Sequence, residues 1–221
     1  MTLFNQPTNQ PTKSNFALTV LLFAVGLGIA STADAALMSR LGGQAVYDTD
    51  FNITWLADAN YAQTSGYDTD GMMFWTDANA WAASLNIGGY TGWRLPSSDT
   101  ACNNFNCTNS ELGHLYYTEL GVTLNNDITS STNPDLALFT NVQSVYYWSS
   151  TELAPVPYLA WIFQTGTGFQ ANGSKDDSHP AWAVRTGDVG GGGGTVPEPG
   201  MIWLFGAGAL AWSRSRTRRR G

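Results

Sequence analysis

The stretch Gly92-Trp93-Arg94-Leu95-Pro96 combines residue types of a folded core with a single cation. Trp93 and Leu95 are residue types of protein cores, Pro96 restricts the backbone, and Arg94 is a cation between apolar neighbours. We interpret Arg94 as a structural residue that pairs with a buried carboxylate or with carbonyl groups. A direct contact between Arg94 and a ligand is the alternative.

Two amphipathic helices are predicted on either side of this stretch. Residues 77–85 carry apolar side chains at i, i+3, i+4 and i+7, and Thr76 is available as the cap. Ser110 caps a second helix over residues 111–120, and Gly121 ends it. The inner face of the second helix consists of Leu112, Leu115, Tyr116 and Leu120.

The remaining segments with a regular pattern are strand-like. They are rich in aromatic and β-branched residues and are separated by Gly, Pro or Asn turns. These segments are residues 44–48, 53–56, 146–150, 159–164, 168–171 and 181–185. Two helices with antiparallel strands predict a single α+β domain over residues 36–189.

The N-terminus is typical of a secretory signal peptide over residues 1–35. Lys13 precedes an apolar run at residues 16–30, and Ala33-Asp34-Ala35 is an A-x-A cleavage pattern. An uncleaved N-terminal anchor is the alternative, but the run is short for a membrane span. We therefore expect the mature chain to begin near Ala36.

The C-terminus carries a second targeting pattern. A glycine-rich linker at residues 190–195 precedes Pro197-Glu198-Pro199, an apolar run at residues 200–212 and a cluster of arginines. Thirteen residues in a helix reach only about 20 Å, so the run is a marginal transmembrane helix. The pattern over residues 196–221 resembles the PEP-CTERM sorting tail of Gram-negative bacteria. That resemblance implies transient membrane insertion, an exosortase and secretion machinery as partners, and delivery to the outer surface or an exopolysaccharide matrix. Whether the tail is removed or retained as an anchor stays open.

The charge of the predicted domain limits the classes of partner that it can bind. The full chain has 10 Lys and Arg against 17 Asp and Glu. Only four of these cations but fifteen of the acids fall between residues 36 and 189, which gives a formal charge of −11. Nucleic acid and anionic membrane surfaces are disfavoured as partners, because both are polyanions.

Cys102 and Cys107 are the only cysteines. In an exported protein, two cysteines this close in a polar loop predict a local disulfide. A metal pair is the alternative, but no His or Cys partner follows at ligand spacing.

Two acidic stretches resemble the start of a calcium loop. Asp48, Asp50 and Asn52 form the first, and Asp68 and Asp70 form the second. Neither completes the EF-hand pattern, so calcium bound through these loop oxygens is one hypothesis and solvated turns are the other. No other cofactor is indicated.

Nothing in the sequence specifies an enzyme. His114 falls outside the apolar stripe of its helix, and His179 precedes Pro180 in a loop. There is no HExxH, no G-x-S-x-G and no cysteine–histidine pairing, and the glycines at 166, 168 and 173 precede no helix. We expect no catalytic activity.

Four ordered segments carry a family resemblance. They are Gly92 to Pro96, Glu111-Leu112, Tyr147-Trp148-Ser149-Ser150-Thr151 and Ala183-Val184-Arg185. Together they resemble the Lcl C-terminal-like (DUF1566) domain over roughly residues 47–186. The resemblance implies a C-type-lectin-like fold, distantly similar to formylglycine-generating sulfatase modifiers and phage tropism determinants. The formylglycine chemistry needs cysteines late in the domain, and this chain has none after Cys107.

Three functions remain as hypotheses. The leading one is a non-enzymatic surface or matrix protein that binds a carbohydrate or another surface protein. The others are a structural matrix component without a specific ligand and a divergent metal-dependent enzyme. Exposed indoles would suit sugar binding, but large aromatics dominate small cores, so we expect at most one or two to be free. The candidates are Trp55, Trp75, Trp81, Trp93, Trp148, Trp161 and Trp182.

Overall fold

The computed structural model describes residues 37–190. The predicted signal peptide, the expected start at Ala36 and the sorting tail lie outside these residues. Between residues 37 and 190, no helix is long and apolar enough to cross a membrane. The predicted transmembrane run at residues 200–212 is outside this range.

The described part of the chain is α+β, with strands predominating. In chain order its elements are β1 (Leu37–Arg40), β2 (Ala45–Asp48), β3 (Ile53–Leu56), α1 (Tyr61–Thr64), β4 (Met72–Met73), α2 (Trp75–Ser84), α3 (Glu111–His114), β5 (Tyr146–Glu152), β6 (Leu159–Gln164), β7 (Phe169–Ser174), β8 (His179–Pro180) and β9 (Val184–Thr186). A π turn, Leu115–Glu119, extends α3 directly. Short 3-10 turns occur at Leu41–Gly43, Ile128–Ser130 and Pro134–Leu138.

The strands form three antiparallel sheets. The first has the order β1-β2-β3-β9, so the last strand of the domain pairs beside the third. The second is β5-β6-β7, and the third is the two-residue pairing of β4 with β8. Strand β5 contains a register shift between Trp148 and Glu152. Such an irregularity frees backbone groups of the bulged strand for partners outside the ladder.

The sequence predicted the long strands better than the short ones. β3 and β6 have the predicted bounds, and β2, β5 and β7 differ by a few residues at their ends. The predicted strand at residues 181–185 begins only at Val184, although the Ala183 carbonyl still accepts from the Leu56 amide at 2.9 Å. β1, β4 and β8 were not predicted, and the two residues of β4 and of β8 are too few for an alternating pattern to be recognised.

The helix predictions are partly corrected. α2 begins at Trp75, with Phe74 at its N-cap and no side-chain capping bond, so the predicted Thr76 cap is wrong. The Ser110 cap is confirmed, because its Oγ accepts from the Gly113 amide at 3.2 Å. The short helix α1 is an addition to the two predicted.

The core between the sheets and helices is built on tryptophan. Between residues 37 and 190, six of the seven indoles are buried. Several also satisfy their N–H groups internally: Trp148 donates to the Met73 carbonyl and Trp182 to the Leu56 carbonyl, both at 2.8 Å. Nearly all buried apolar residues, from all three sheets and from the helices, belong to one continuous cluster, so the described residues share one core.

Candidate functional site

The four segments of the family signature meet in space. Arg94 and Val184 exchange both backbone hydrogen bonds, at 2.7 and 2.8 Å, in an isolated antiparallel bridge. The amide of Ser150, which lies in the irregular part of β5, donates to the Pro96 carbonyl at 2.8 Å. Arg185 Nε donates to the Thr91 carbonyl at 3.1 Å. The segments are therefore connected mainly through backbone groups.

The Arg94 guanidinium forms hydrogen bonds to groups within the protein. Its two terminal nitrogens donate to the two carboxylate oxygens of Glu111, each at 2.7 Å, and Nη1 also donates to the Leu95 carbonyl. Glu111 accepts a further bond from the Ser97 amide. The Glu111 side chain is only 8 % exposed, against 35 % for Arg94. These contacts match the structural interpretation of Arg94.

The predicted calcium residues are used in different ways. Asp68 Oδ1 accepts from the amides of Asp70 and Gly71, and Asp70 Oδ1 accepts from the Met72 amide. Asn52 has a φ of 51° and its Oδ1 accepts from the Tyr47 hydroxyl. The second stretch thus carries local turn caps, and calcium binding there stays a prediction.

Asp48, the first residue of the first stretch, lies in a buried ionic cluster with His114 and Glu119. One potential ligand atom from each lies within 4.8 Å of the other two. His114 Nε2 is 3.1 Å from Glu119 Oε1 and 3.6 Å from Asp50 Oδ2, and the imidazole stacks on the Phe51 ring at 4.1 Å. The cluster joins the β2–β3 turn to the helix that follows Ser110.

Burial and the charges of neighbouring groups shift the pKa values of Asp48 and His114. Burial raises the pKa of Asp48, although amide donation from Phe51 and Asp50 opposes the shift. Burial by itself lowers the pKa of His114, but the hydrogen bond to Glu119 and the neighbouring carboxylate charges outweigh it, so the pKa is raised.

Sequence reasoning missed this cluster. The sequence pattern puts His114 outside the apolar stripe, yet it is buried, and so is Glu119. In an α-helix, residues five apart point roughly 140° away from each other. The π turn closes with the Leu120 amide on the Leu115 carbonyl, an i+5 bond, and brings His114 and Glu119 onto one face. No pattern in the sequence predicts that turn.

A surface groove of about 390 Å³ lies elsewhere on the domain. It is lined by Tyr67, Asp68, Met72, Met73, Phe74, Asp77 and Ser178. The side chains of Tyr67 and Phe74 are about half exposed, at 56 % and 51 %. The groove combines two accessible aromatic rings with two carboxylates.

A larger cavity, about 560 Å³, is a weaker candidate. Its wall includes Asn126, Ser131 and Asn133. Asn126 Nδ2 donates to Thr123 Oγ1, Ser131 Oγ donates to the Leu120 carbonyl, and Asn133 Nδ2 donates to the Glu119 carbonyl. Much of the polar lining is therefore already engaged within the protein.

Comparison with known families gives a match that includes all four signature segments. The Lcl C-terminal domain family matches residues 44–185, which is more than half of the chain. The chain belongs to the Lcl C-terminal domain family. No curated protein matches it.

The targeting pattern behind the Lcl C-terminal domain also has a match. The PEP-CTERM protein-sorting motif covers residues 195–220, including Pro197, Glu198 and Pro199. This motif implies processing by an exosortase and export to the bacterial cell surface.

A disulfide closes a loop of the Lcl C-terminal domain. Cys102 and Cys107 form a disulfide with an S–S distance of 2.01 Å, as predicted for an exported chain. Gln170 ties the same loop to β7 independently, because its amide donates to the Asn104 carbonyl and its side chain to the Asp99 carbonyl, both at 2.9 Å.

Proposed function

We propose that this surface protein binds a neutral polysaccharide of the extracellular matrix through the Tyr67–Phe74 groove. The observation that carries the proposal is the pair of half-exposed rings beside Asp68 and Asp77. The domain acts without catalysis, after removal of the signal peptide near Ala36 and of the tail near Pro197-Glu198-Pro199, on the outer surface of a Gram-negative cell.

The chemistry of the groove suits a sugar. Aromatic faces provide apolar area for the C–H surfaces of a pyranose ring, and carboxylate oxygens accept hydrogen bonds from its hydroxyl groups. The amides of Asp70 and Gly71 hold the pKa of Asp68 below its usual range, so this side chain stays an acceptor at neutral pH. Aromatic rings with acceptors are thus available at one surface site.

The charge of the domain indicates which polysaccharides fit. Fifteen acids against four cations between residues 36 and 189 repel an anionic polymer. The groove itself adds Asp68 and Asp77 to that field. A neutral glycan avoids this repulsion and still offers hydroxyl donors.

The tryptophans that could have stacked on sugars are not free. Between residues 37 and 190, Trp75 is the one tryptophan that is not fully buried. Lys175 Nζ lies 4.1 Å from the centroid of its ring, and its Nε1 donates to the Ser149 carbonyl. We therefore assign sugar stacking to Tyr67 and Phe74, the two exposed rings that line the groove.

The histidine environments support a binding role over a catalytic one. His114 contacts two carboxylates and the Phe51 ring. His179 packs against Trp148 and Tyr146, with ring centroids at 4.7 and 5.9 Å. Neither of these arrangements pairs an imidazole with a serine or cysteine nucleophile.

We extend the proposal to the fold and assign a C-type-lectin-like architecture. The support is the α+β composition and the pairing of β9 with β3, which brings the two ends of the domain into one sheet. An experimental structure whose strand order departs from β1-β2-β3-β9 would overturn this assignment.

Affinity electrophoresis of the full chain through gels with neutral or anionic polysaccharides tests the function. We expect retardation by a neutral polymer, and a loss of affinity of about tenfold or more in Tyr67→Ala and Phe74→Ala. Tyr158→Ala is the matched control, because that ring is 67 % exposed but outside the groove. Absence of retardation by any polymer would favour a structural matrix component, and equal loss in the control would remove the groove from consideration.

A further inference from the structure

We propose that Asp48, His114 and Glu119 form a binding site for a divalent transition-metal ion of the Zn²⁺ class. The site is separate from the Tyr67–Phe74 groove and from the acidic stretch at Asp68 and Asp70. Its role is structural: the ion connects the β2–β3 turn to the π turn that follows α3.

The first argument is the unbalanced charge of the cluster. Asp48 is fully buried, and the side chains of Glu119 and His114 are 2 % and 8 % exposed. Two buried carboxylates face one imidazole, which supplies at most one positive charge. Buried charges are stable only when they are paired, and a divalent cation balances both carboxylates at once.

The second argument is an orphaned oxygen. Asp48 Oδ1 accepts from the amides of Asp50 and Phe51, at 2.9 and 3.1 Å, which holds the carboxylate in place. Asp48 Oδ2 is buried and has no hydrogen-bond partner among residues 37–190. Buried acceptors in proteins are almost always satisfied. The free oxygen of an immobilised carboxylate is therefore available to an ion.

The third argument is geometric. Zinc bonds of about 2.0–2.2 Å to nitrogen and oxygen place two ligands of a tetrahedral ion about 3.4 Å apart. His114 Nε2 and Glu119 Oε1 are 3.1 Å apart, and all three ligand atoms lie within 4.8 Å of one another. The ligand atoms that are furthest apart would have to approach by at most about 1.4 Å to reach the spacing of a tetrahedral ion.

The ligand types favour a transition ion over calcium. One imidazole nitrogen with carboxylate oxygens suits Zn²⁺ and its neighbours, whereas Ca²⁺ requires six to eight oxygens. Asp50 Oδ2 is 3.6 Å from His114 Nε2, and its side chain is 41 % exposed, so Asp50 contacts the imidazole from the solvent side without belonging to the group of three. The stacked Phe51 ring shields the imidazole.

Titration of the tag-free full chain with Zn²⁺, after dialysis against a chelator, tests the proposal. Calorimetry should show one Zn²⁺ per chain and no comparable binding of Ca²⁺. Titration with Co²⁺ should produce the intense long-wavelength d–d band of four-coordinate Co²⁺, which the weakly absorbing hydrated ion does not show. The thermal melting midpoint should rise with Zn²⁺ and fall back with chelator.

Asp48→Asn and Glu119→Gln are the informative variants, because each preserves side-chain volume. In Asp48→Asn, the amide oxygen of the new side chain can still accept from the turn amides. We expect each variant to weaken Zn²⁺ binding by about 100-fold or more and to remove the Co²⁺ band. Asp176→Asn, an exposed carboxylate outside the cluster, is the control and should bind as the unmodified chain does. Circular dichroism establishes that the variants are folded.

Three outcomes would overturn the site. The first is that the unmodified chain binds no stoichiometric Zn²⁺, because the cluster is then a metal-free network whatever the variants do. The second is that both folded variants bind Zn²⁺ as tightly as the control, because the ion then lies elsewhere. The third is that the chain binds Ca²⁺ in place of Zn²⁺, because that result contradicts the proposed class of ion.

Discussion

Arg94 and Glu111 are joined by two parallel hydrogen bonds of 2.7 Å, although they are 17 positions apart in the chain. Arg94 belongs to the Gly92–Pro96 stretch, and Glu111 is the first residue of α3. The Ser97 amide, at 2.7 Å, gives Glu111 a third donor. The pair connects the family signature to the helix that carries His114.

Replacing Arg94 by Ala should destabilise the domain without affecting polysaccharide binding. Loss of the guanidinium leaves a nearly buried carboxylate with one amide donor. We expect about 2–3 kcal/mol less unfolding free energy, below the value for a fully buried pair because Arg94 is about one-third exposed. Urea unfolding of the full chain measures the difference.

The lysine variant sharpens this prediction. Arg94→Lys should recover only part of the lost stability, because an ammonium cannot make the planar two-pronged contact. Arg185→Ala, which loses one bond to a carbonyl, should cost less than Arg94→Ala. An Arg94→Ala protein that unfolds like the unmodified chain but loses polysaccharide binding would make Arg94 a ligand residue.

The Cys102–Cys107 disulfide should be local and dispensable. The small ring constrains the unfolded chain by roughly 2 kcal/mol at most. Gln170 still ties the loop to β7 when the bond is absent. The double Cys→Ser variant should therefore fold, with a lower unfolding free energy. Intact mass should show that the exported protein is two hydrogens lighter before reduction, and two free thiols or complete unfolding of the variant would contradict us.

Gly113→Ala should destabilise the protein, although alanine is the better helix former. A Cβ at this position would overlap the Cys107 carbonyl oxygen and would lie 2.5 Å from Ser110 Oγ. The backbone there cannot move without disturbing the helix cap. Thermal melting should show a clear decrease, whereas Gly166→Ala, with its nearest atom at 3.4 Å, should be nearly neutral. An unchanged melting midpoint for Gly113→Ala would contradict the packing.

His179 should make the protein less stable in mild acid. Burial lowers the pKa of His179 in the folded state, against about 6.5 in the unfolded chain. As the pH falls below about 6.5, His179 is therefore protonated in the unfolded chain before it is protonated in the folded protein. The unfolding free energy decreases until the pH reaches the pKa of His179 in the folded protein. Well above pH 6.5 the imidazole is neutral in both states, so this contribution vanishes.

The His179→Phe variant isolates that contribution from other groups that titrate in the same range. Unfolding free energies of both proteins, measured between pH 5 and pH 8, should differ by a constant amount at the alkaline end. As the pH is lowered, the unfolding free energy of the variant should rise relative to that of the unmodified chain, because only the unmodified chain carries this imidazole. Identical pH profiles would show that the imidazole does not titrate differently in the two states.

The strands and caps that could be predicted are those with local causes. β6, at Leu159–Gln164, is a run of large apolar residues, and Ser110 can accept from the amide three residues later within one turn of helix. The pairing of Met73 with His179 could not be predicted, because its two strands have two residues each and meet only through the rest of the fold.

The sequence by itself determined the α+β class, the Ser110 cap, the disulfide and the C-terminal sorting motif, since each depends on neighbours in the chain or on a linear motif. The tertiary structure decided which of the fifteen acids in the domain pairs with Arg94 and which surround His114. Both choices depend on where distant segments come together. The cluster of Asp48, His114 and Glu119 also requires the π turn, because only a shift from the α-helical period places residues five apart on one face.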